Sequence, residues 1–211
     1  MVDRLTGKFL TLEGSEGAGK SSNLDIVVAT LRDCGVDVAT TREPGGTETA
    51  ESIRELLLAV RDEPLDDLAE LLLMFAARAQ HLTTKIRPML RAGTWVVCDR
   101  FTDATYAYQG GGRGIDAASI ALLEQLVHGD LQPDLTLYLD VPVEVAFQRI
   151  GDRDLDRIER EERSFFERVR ANYLERAGRE ERIEIIDASA SLEAVAAAVE
   201  QTIRRFVAAH P

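Results

Sequence analysis

Apolar residues along this 211-residue chain follow two rhythms that alternate from one end to the other. Short runs rich in β-branched and aromatic residues read as strands: Phe9-Leu10-Thr11-Leu12, Val36-Asp37-Val38-Ala39-Thr40, Trp95-Val96-Val97-Cys98-Asp99, Leu135-Thr136-Leu137-Tyr138-Leu139 and Ile183 to Ile186. Between them the spacing changes to three or four. Leu24, Val27, Val28 and Leu31 mark a first helix closed by Gly35, and Ile53, Leu56, Leu57 and Val60 mark a second. A third begins near Asp66 or Asp67, runs through Leu68, Leu71, Leu72 and Phe75, breaks or kinks at Pro88 and ends at Gly93. Later helices cover roughly Ala117 to Val127 with Gly129 as cap, Val143 to Arg149, and the stretch around Phe165, Phe166, Val169 and Tyr173. Leu192, Val195, Val199, Ile203 and Phe206 stripe a final helix behind Ser191 as N-cap. Two segments lack a period: Thr102 to Asp116 is polar and glycine-rich and reads as a loop, and Ile150 to Arg163 is almost wholly charged.

Strands separated by helices of this length predict an α/β fold with a parallel sheet covered on both faces. Ligands in such sheets sit at the carboxyl ends of the strands. No linker, repeat or low-complexity run divides the chain, so one domain over residues 1–211 is expected.

Composition narrows the field. Apolar residues make up 45% and charged residues 29%, as in ordinary globular proteins. A net charge of −12 argues against nucleic acid as a partner, although an acidic protein can still gather arginines in one cleft. Two cysteines, Cys34 and Cys98, fit reduced thiols better than a disulfide framework. No apolar run approaches 18 residues and the first residues lack a signal-peptide core. The expectation is a soluble cytoplasmic protein with no membrane partner.

The chemistry starts at Gly14-Ser15-Glu16-Gly17-Ala18-Gly19-Lys20-Ser21, which fits G-x-x-x-x-G-K-[ST] between a strand and a helix. Glycines there let backbone N–H groups face phosphate oxygens, and the helix adds the positive end of its dipole. Lys20 is expected at the β- and γ-phosphates and Ser21 on Mg²⁺; Asp99, ending a buried strand, is the second metal candidate. An acid inside the loop would repel polyphosphate, so Glu16 is expected to turn toward a second substrate and accept a hydroxyl. Arg42, Arg54, Arg78, Arg100, Arg113, Arg149, Arg153 and Arg157 all fall near the strand ends. The charged stretch that holds the last two reads as a flap closing over phosphate. His81, His128 and His210 carry no ligand spacing and read as structural.

Five blocks in order, the loop Gly14–Ser21, Arg42-Glu43-Pro44-Gly45-Gly46, Phe75-Ala76-Ala77-Arg78, Asp99-Arg100-Phe101 and Tyr108-Gln109-Gly110-Gly111-Gly112-Arg113-Gly114, resemble the bacterial thymidylate kinases from Phe9 to the last helix. The resemblance implies a P-loop NTPase fold with a five-stranded parallel sheet and a homodimer. It also implies transfer of the γ-phosphoryl of ATP to dTMP with Mg²⁺, on the way to dTTP. By position, Glu16 is similar to the acid that takes the deoxyribose 3′-OH, and Arg100 to the arginine on the acceptor phosphate. Arg54 and Glu43 match positions lining that phosphate and its metal. Arg78 resembles the reader of a thymine carbonyl, with Thr105, Tyr108 and Gln109 around the base. Phe75 is similar to the aromatic that stacks on thymine, with Met74 as rival. Gly14 to Ser21 and Ser22 would hold ATP. Gly17 stands where some members carry a catalytic arginine, so the chain resembles the type whose lid, about 149–163, supplies it from Arg149, Arg153 or Arg157. A Glu43–Pro44 cis bond is also expected.

Two other readings stay open on residues alone. A deoxynucleoside or other small-metabolite kinase would share the loop but take an unphosphorylated acceptor, and Arg54 with Arg100 favours a phosphorylated one. A GTP-binding switch would carry N-K-x-D and D-x-x-G, and neither string occurs.

Overall fold

The computed structural model describes residues 5–151 and 155–210. Five strands, β1 (Phe9–Glu13), β2 (Val38–Arg42), β3 (Trp95–Asp99), β4 (Leu135–Asp140) and β5 (Ile183–Asp187), form one parallel sheet in the order β2-β3-β1-β4-β5. The α/β class and the five-stranded parallel sheet expected from the sequence are both present. Register aligns Leu12 and Arg42 with Asp99, so the ends of three neighbouring strands reach one level.

Alternation along the central strand sorts the core. Leu10 and Leu12 of β1 pack with Val27 and Leu31 of α1 (Lys20–Asp33) and Val199 and Ile203 of α9 (Leu192–Ala209). Phe9 faces the other way, against Leu82, Ile86 and Leu90. Glu13 keeps that second phase and is buried. On the same face Tyr138 stacks on Tyr173 of α8 (Arg163–Ala177) at 4.7 Å.

Most expected elements lie where the periodicity placed them, and three differ. Strand β2 starts two residues late because the Val36 N–H still closes the end of α1 on Leu31 O, at 3.0 Å. The third helix, α3 (Asp67–His81), does not break at Pro88. It passes through a π-helical stretch, Leu82–Ile86, and Pro88 then sits in the first turn of α4 (Arg87–Arg91), where no N–H is needed. The glycine-rich segment after Asp99 is helical rather than a loop: α5 (Thr102–Thr105) runs into a π-helical stretch, Tyr106–Gly112. Its glycines serve packing, since a Cβ on Gly112 would lie 2.4 Å from the Phe165 ring. The remaining helices are α2 (Glu48–Leu58), α6 (Ala117–His128) and α7 (Val143–Ile150). Ser191 caps α9 as expected, its side chain accepting from Ala194 N. The Glu43–Pro44 peptide is cis. Both cysteines are free, and burial pushes the Cys98 thiol up, away from reactivity. Among the described residues no helix is long and apolar enough to cross a membrane.

Candidate active site

The phosphate loop leaves β1 at Gly14 and enters α1 at Lys20, so the N-terminus of a 14-residue helix points across the strand ends. Lys20 Nζ donates to Gly14 O and Ser15 O at 3.0 and 3.1 Å, folding the side chain back over the loop. Burial pushes its ammonium down to about 8, reinforced by Arg100. An incoming polyphosphate would restore the charge. Gly17 has φ 77°, and a Cβ there would lie 2.4 Å from Ala146 O. No side chain fits at that place without displacing α7, so an arginine is barred from it by backbone contact as well as by identity.

Beside the loop lies a cavity of ≈ 560 Å³ lined among others by Lys20, Ser21, Asp99, Arg100, Arg149 and Leu192. Asp99 Oδ1 is buried there and has no hydrogen-bond partner among the described residues. An orphaned carboxylate oxygen sharing a cavity with the Ser21 hydroxyl suits a hard divalent cation held jointly with phosphate oxygens.

A smaller cavity of ≈ 70 Å³ shares Glu16, Arg54 and Arg100 with it and is lined also by Glu43, Met74 and Tyr108. Glu16 turns away from the loop: Arg100 Nη2 donates to Oε1 at 2.5 Å and Tyr108 OH to Oε2 at 2.7 Å. Burial would push this carboxyl up, but Arg100 and Lys20 hold it below the ordinary range. The Arg100 guanidinium also lies over the Tyr108 ring at 4.8 Å. Arg100 is the one non-glycine described with positive φ, 68°, a costly backbone state that the surroundings must enforce. Its N–H is held by Leu12 O at 3.0 Å, and the next N–H, Phe101, by Glu13 Oε1 at 2.7 Å. Arg54 Nη1 donates to Pro44 O at 2.9 Å, fixing it on the cavity wall.

Arg78 is 3% exposed. Its Nε donates to Glu43 Oε2 at 2.7 Å and Nη2 to Thr105 Oγ1 at 3.0 Å, while Nη1 has no partner among the described residues. Several expected neighbours lie elsewhere. Met74 lines the cavity, whereas Phe75 is buried with Leu71 and Ile120, with its ring 4.9 Å beneath the Arg78 guanidinium. Gln109 donates to Glu70 Oε1 at 2.7 Å. Glu43 lines the cavity with each oxygen already partnered once, Oε2 by Arg78 and Oε1 by His81.

The flap arginines separate. Arg149 lies over the loop, donating to Ala188 O at 2.8 Å and Gly17 O at 3.4 Å. Arg157 is held by Glu70 Oε2 at 2.5 Å and Leu57 O at 2.9 Å, and Arg113 joins the same buried Glu70 at 3.3 Å. Arg153 lies outside the described residues. Two carboxylates that the sequence reading passed over, Glu13 and Glu70, thus organise the site from behind, as does His81. Each looks like an isolated polar residue on an apolar face, and only that oddity signals a task.

A family model described as thymidylate kinase matches residues 12–199. The chain belongs to the thymidylate kinase family. A thymidylate kinase of Chromohalobacter salexigens is 60% identical over 197 residues, covering 92% of this chain and 93% of that one. One of Pseudomonas putida is 60% identical over 193 residues, covering 90% and 92%, and one of Alcanivorax borkumensis 57% over 205, covering 96% and 97%.

Proposed function

We propose that this protein transfers the γ-phosphoryl group of ATP to dTMP, giving ADP and dTDP. The observation that carries the reading is the wall the two cavities share: Glu16, Arg54 and Arg100 line both the cavity at the phosphate loop and the pocket beside Tyr108. Phosphoryl transfer needs positioning and charge more than covalent chemistry. In this reading Gly14 to Ser22 hold the polyphosphate, with Lys20 at the transferring group. Mg²⁺, held by Ser21 and Asp99, would neutralise charge on the phosphates. Arg100 and Arg54 take the acceptor phosphate, and Glu16 accepts the sugar hydroxyl once Arg100 shifts its partner. Arg78 meets the base through its unpaired Nη1, with Thr105 and Tyr108 alongside and Met74, in place of Phe75, against the ring.

The chain acts as one kinase unit whose lid spans about 149–163. Arg149 is the lid arginine we assign to the phosphates, since it already lies over Gly17, whereas Arg157 is tied to Glu70. Exposed Leu68 and Leu72 on α3 and Leu122 and Leu126 on α6 form an apolar face that we assign to a homodimer. Free thiols and the use of ATP agree with the cytoplasm. The deciding experiment is a coupled assay of ADP release against a panel of nucleoside monophosphates. Preference for dTMP supports the reading, and a best acceptor lacking the phosphate overturns it.

A further inference from the structure

The way Arg78 is held has a chain of groups behind it that reaches the edge of the sheet. Glu43 bridges Arg78 Nε and His81 Nδ1, at 2.7 and 3.0 Å, and His81 Nε2 meets Thr41 Oγ1 at 2.7 Å. A carboxylate only accepts, so the imidazole donates from Nδ1, and the tautomer with that one proton accepts the Thr41 hydroxyl hydrogen bond at Nε2. Every member is buried: Glu43 is 4% exposed, Arg78 3% and His81 0%. Burial alone would push the Glu43 carboxyl up, but the Arg78 charge and His81 hold it below the ordinary range.

The guanidinium is confined on its faces too. It lies 4.9 Å from the Phe75 ring and 5.1 Å from the Phe101 ring, and His128 packs against both of those rings. Thr105 takes Nη2. One donor nitrogen, Nη1, is therefore left with its direction set by everything else. The turn after β2 is shaped for this arrangement. Gly46 has φ 84°, and a Cβ there would lie 2.4 Å from His81 Nε2 and 2.6 Å from Thr41 Oγ1. A side chain at 46 would break the outer bond of the chain.

We propose that Glu43, backed by His81 and Thr41, is a positioning residue for base selection: it aims Arg78 Nη1 at a carbonyl on the base. The task is not the binding of phosphate or metal. The inference rests on the reading of Arg78 as the group that meets the base. Its chemistry is a donor that accepts a carbonyl oxygen and rejects an amino group at the same ring position, so thymine should be favoured over cytosine.

The test compares kcat/KM for dTMP and dCMP in the full-length protein and three variants. In Glu43→Ala the dTMP/dCMP ratio should fall at least about tenfold, the size expected for misaligning one hydrogen bond from a charged group. KM for ATP and the Mg²⁺ dependence should hold. Glu43→Gln should recover most of the ratio, because its amide oxygen can face Arg78 while His81 switches tautomer. If Glu43→Ala does not fold, His81→Leu decides, since it leaves the Glu43–Arg78 pair intact and removes only the backing. Its ratio should fall in the same direction. An unchanged ratio in a folded variant overturns the proposal, as does a raised Mg²⁺ requirement with selectivity intact. A wild-type protein that does not prefer dTMP would instead overturn the reading of Arg78.

Discussion

The two halves of the reaction cleft are built on opposite principles. In the proposed reading the donor side works through main-chain N–H groups of the loop Gly14–Ser21 together with the Lys20 side chain, set by three glycines of positive φ and one helix start. On the acceptor side that reading uses side chains from four separate regions: Glu16 from the loop, Arg78 from α3, Arg100 beyond β3, and Tyr108 from a π-helical stretch. The first half is a local shape, and a short string of residues specifies it. The second is a charged network. Each member is held by a partner far away in sequence, such as Tyr108 to Glu16 across 92 positions. A donor site of this kind can be recognised and then mutated one residue at a time. In the acceptor site a substitution acts through several others, because buried ionic groups left unpaired are expensive.

The sharpest test of that contrast is Lys20→Ala. Losing the point charge at the transferring group should lower kcat by about a thousandfold, read by ADP release, with folding retained. Near-normal turnover would remove the donor side from the picture. Next in size is the split between two neighbours on α3. Phe75→Ala should lower stability by about 3 kcal/mol, as for a buried aromatic, seen as a lower Tm. Met74→Ala should leave Tm nearly unchanged and raise KM for dTMP. The reverse pattern would put Phe75 in the pocket after all. Arg78→Ala should raise KM for dTMP by roughly ten- to a hundredfold, the value of a charged hydrogen bond, and leave KM for ATP alone. Equal effects on both substrates would mean that the halves are not separable.

The last test concerns Glu13, behind both halves, and is read per pH unit. Burial raises its carboxyl from 4.5 to about 8, with Asp103 adding to the shift. The folded protein keeps a proton that the unfolded chain has released, so unfolding between those values gives up a proton and rising pH favours it. The stabilisation is complete below 4.5 and is lost as pH passes about 8. Relative to Glu13→Gln, the wild type should lose about 1.4 kcal/mol per pH unit within that window, measured by urea unfolding at several pH values. A flat difference would mean that Glu13 is ionised in the folded state, bound to Phe101 N and Tyr173 OH as a carboxylate.

Alternation of apolar runs was enough to place the five strands and the long helices, because each buries one face and must repeat with its own period. The phosphate loop was equally plain, since its spacing and its flanks are all contiguous. Where reading the residues failed, the deciding contact came from elsewhere in the chain. Glycines 110–112 suggest a loop, yet Ile120, Asn172 and Phe165 pack against them in turn and the segment stays helical. Phe75 and Met74 differ by one step around α3, and only the position of α6 and its Ile120 settles which of them turns inward. His81 and Glu70 look like scattered polar residues, and the partners of Glu43 are invisible, until the fold brings the groups within 3 Å. Periodicity and motif spacing are properties of neighbouring residues and can be read without the fold. The choice of partner for a buried charge is a property of distance in space, so that part waited for the packed molecule.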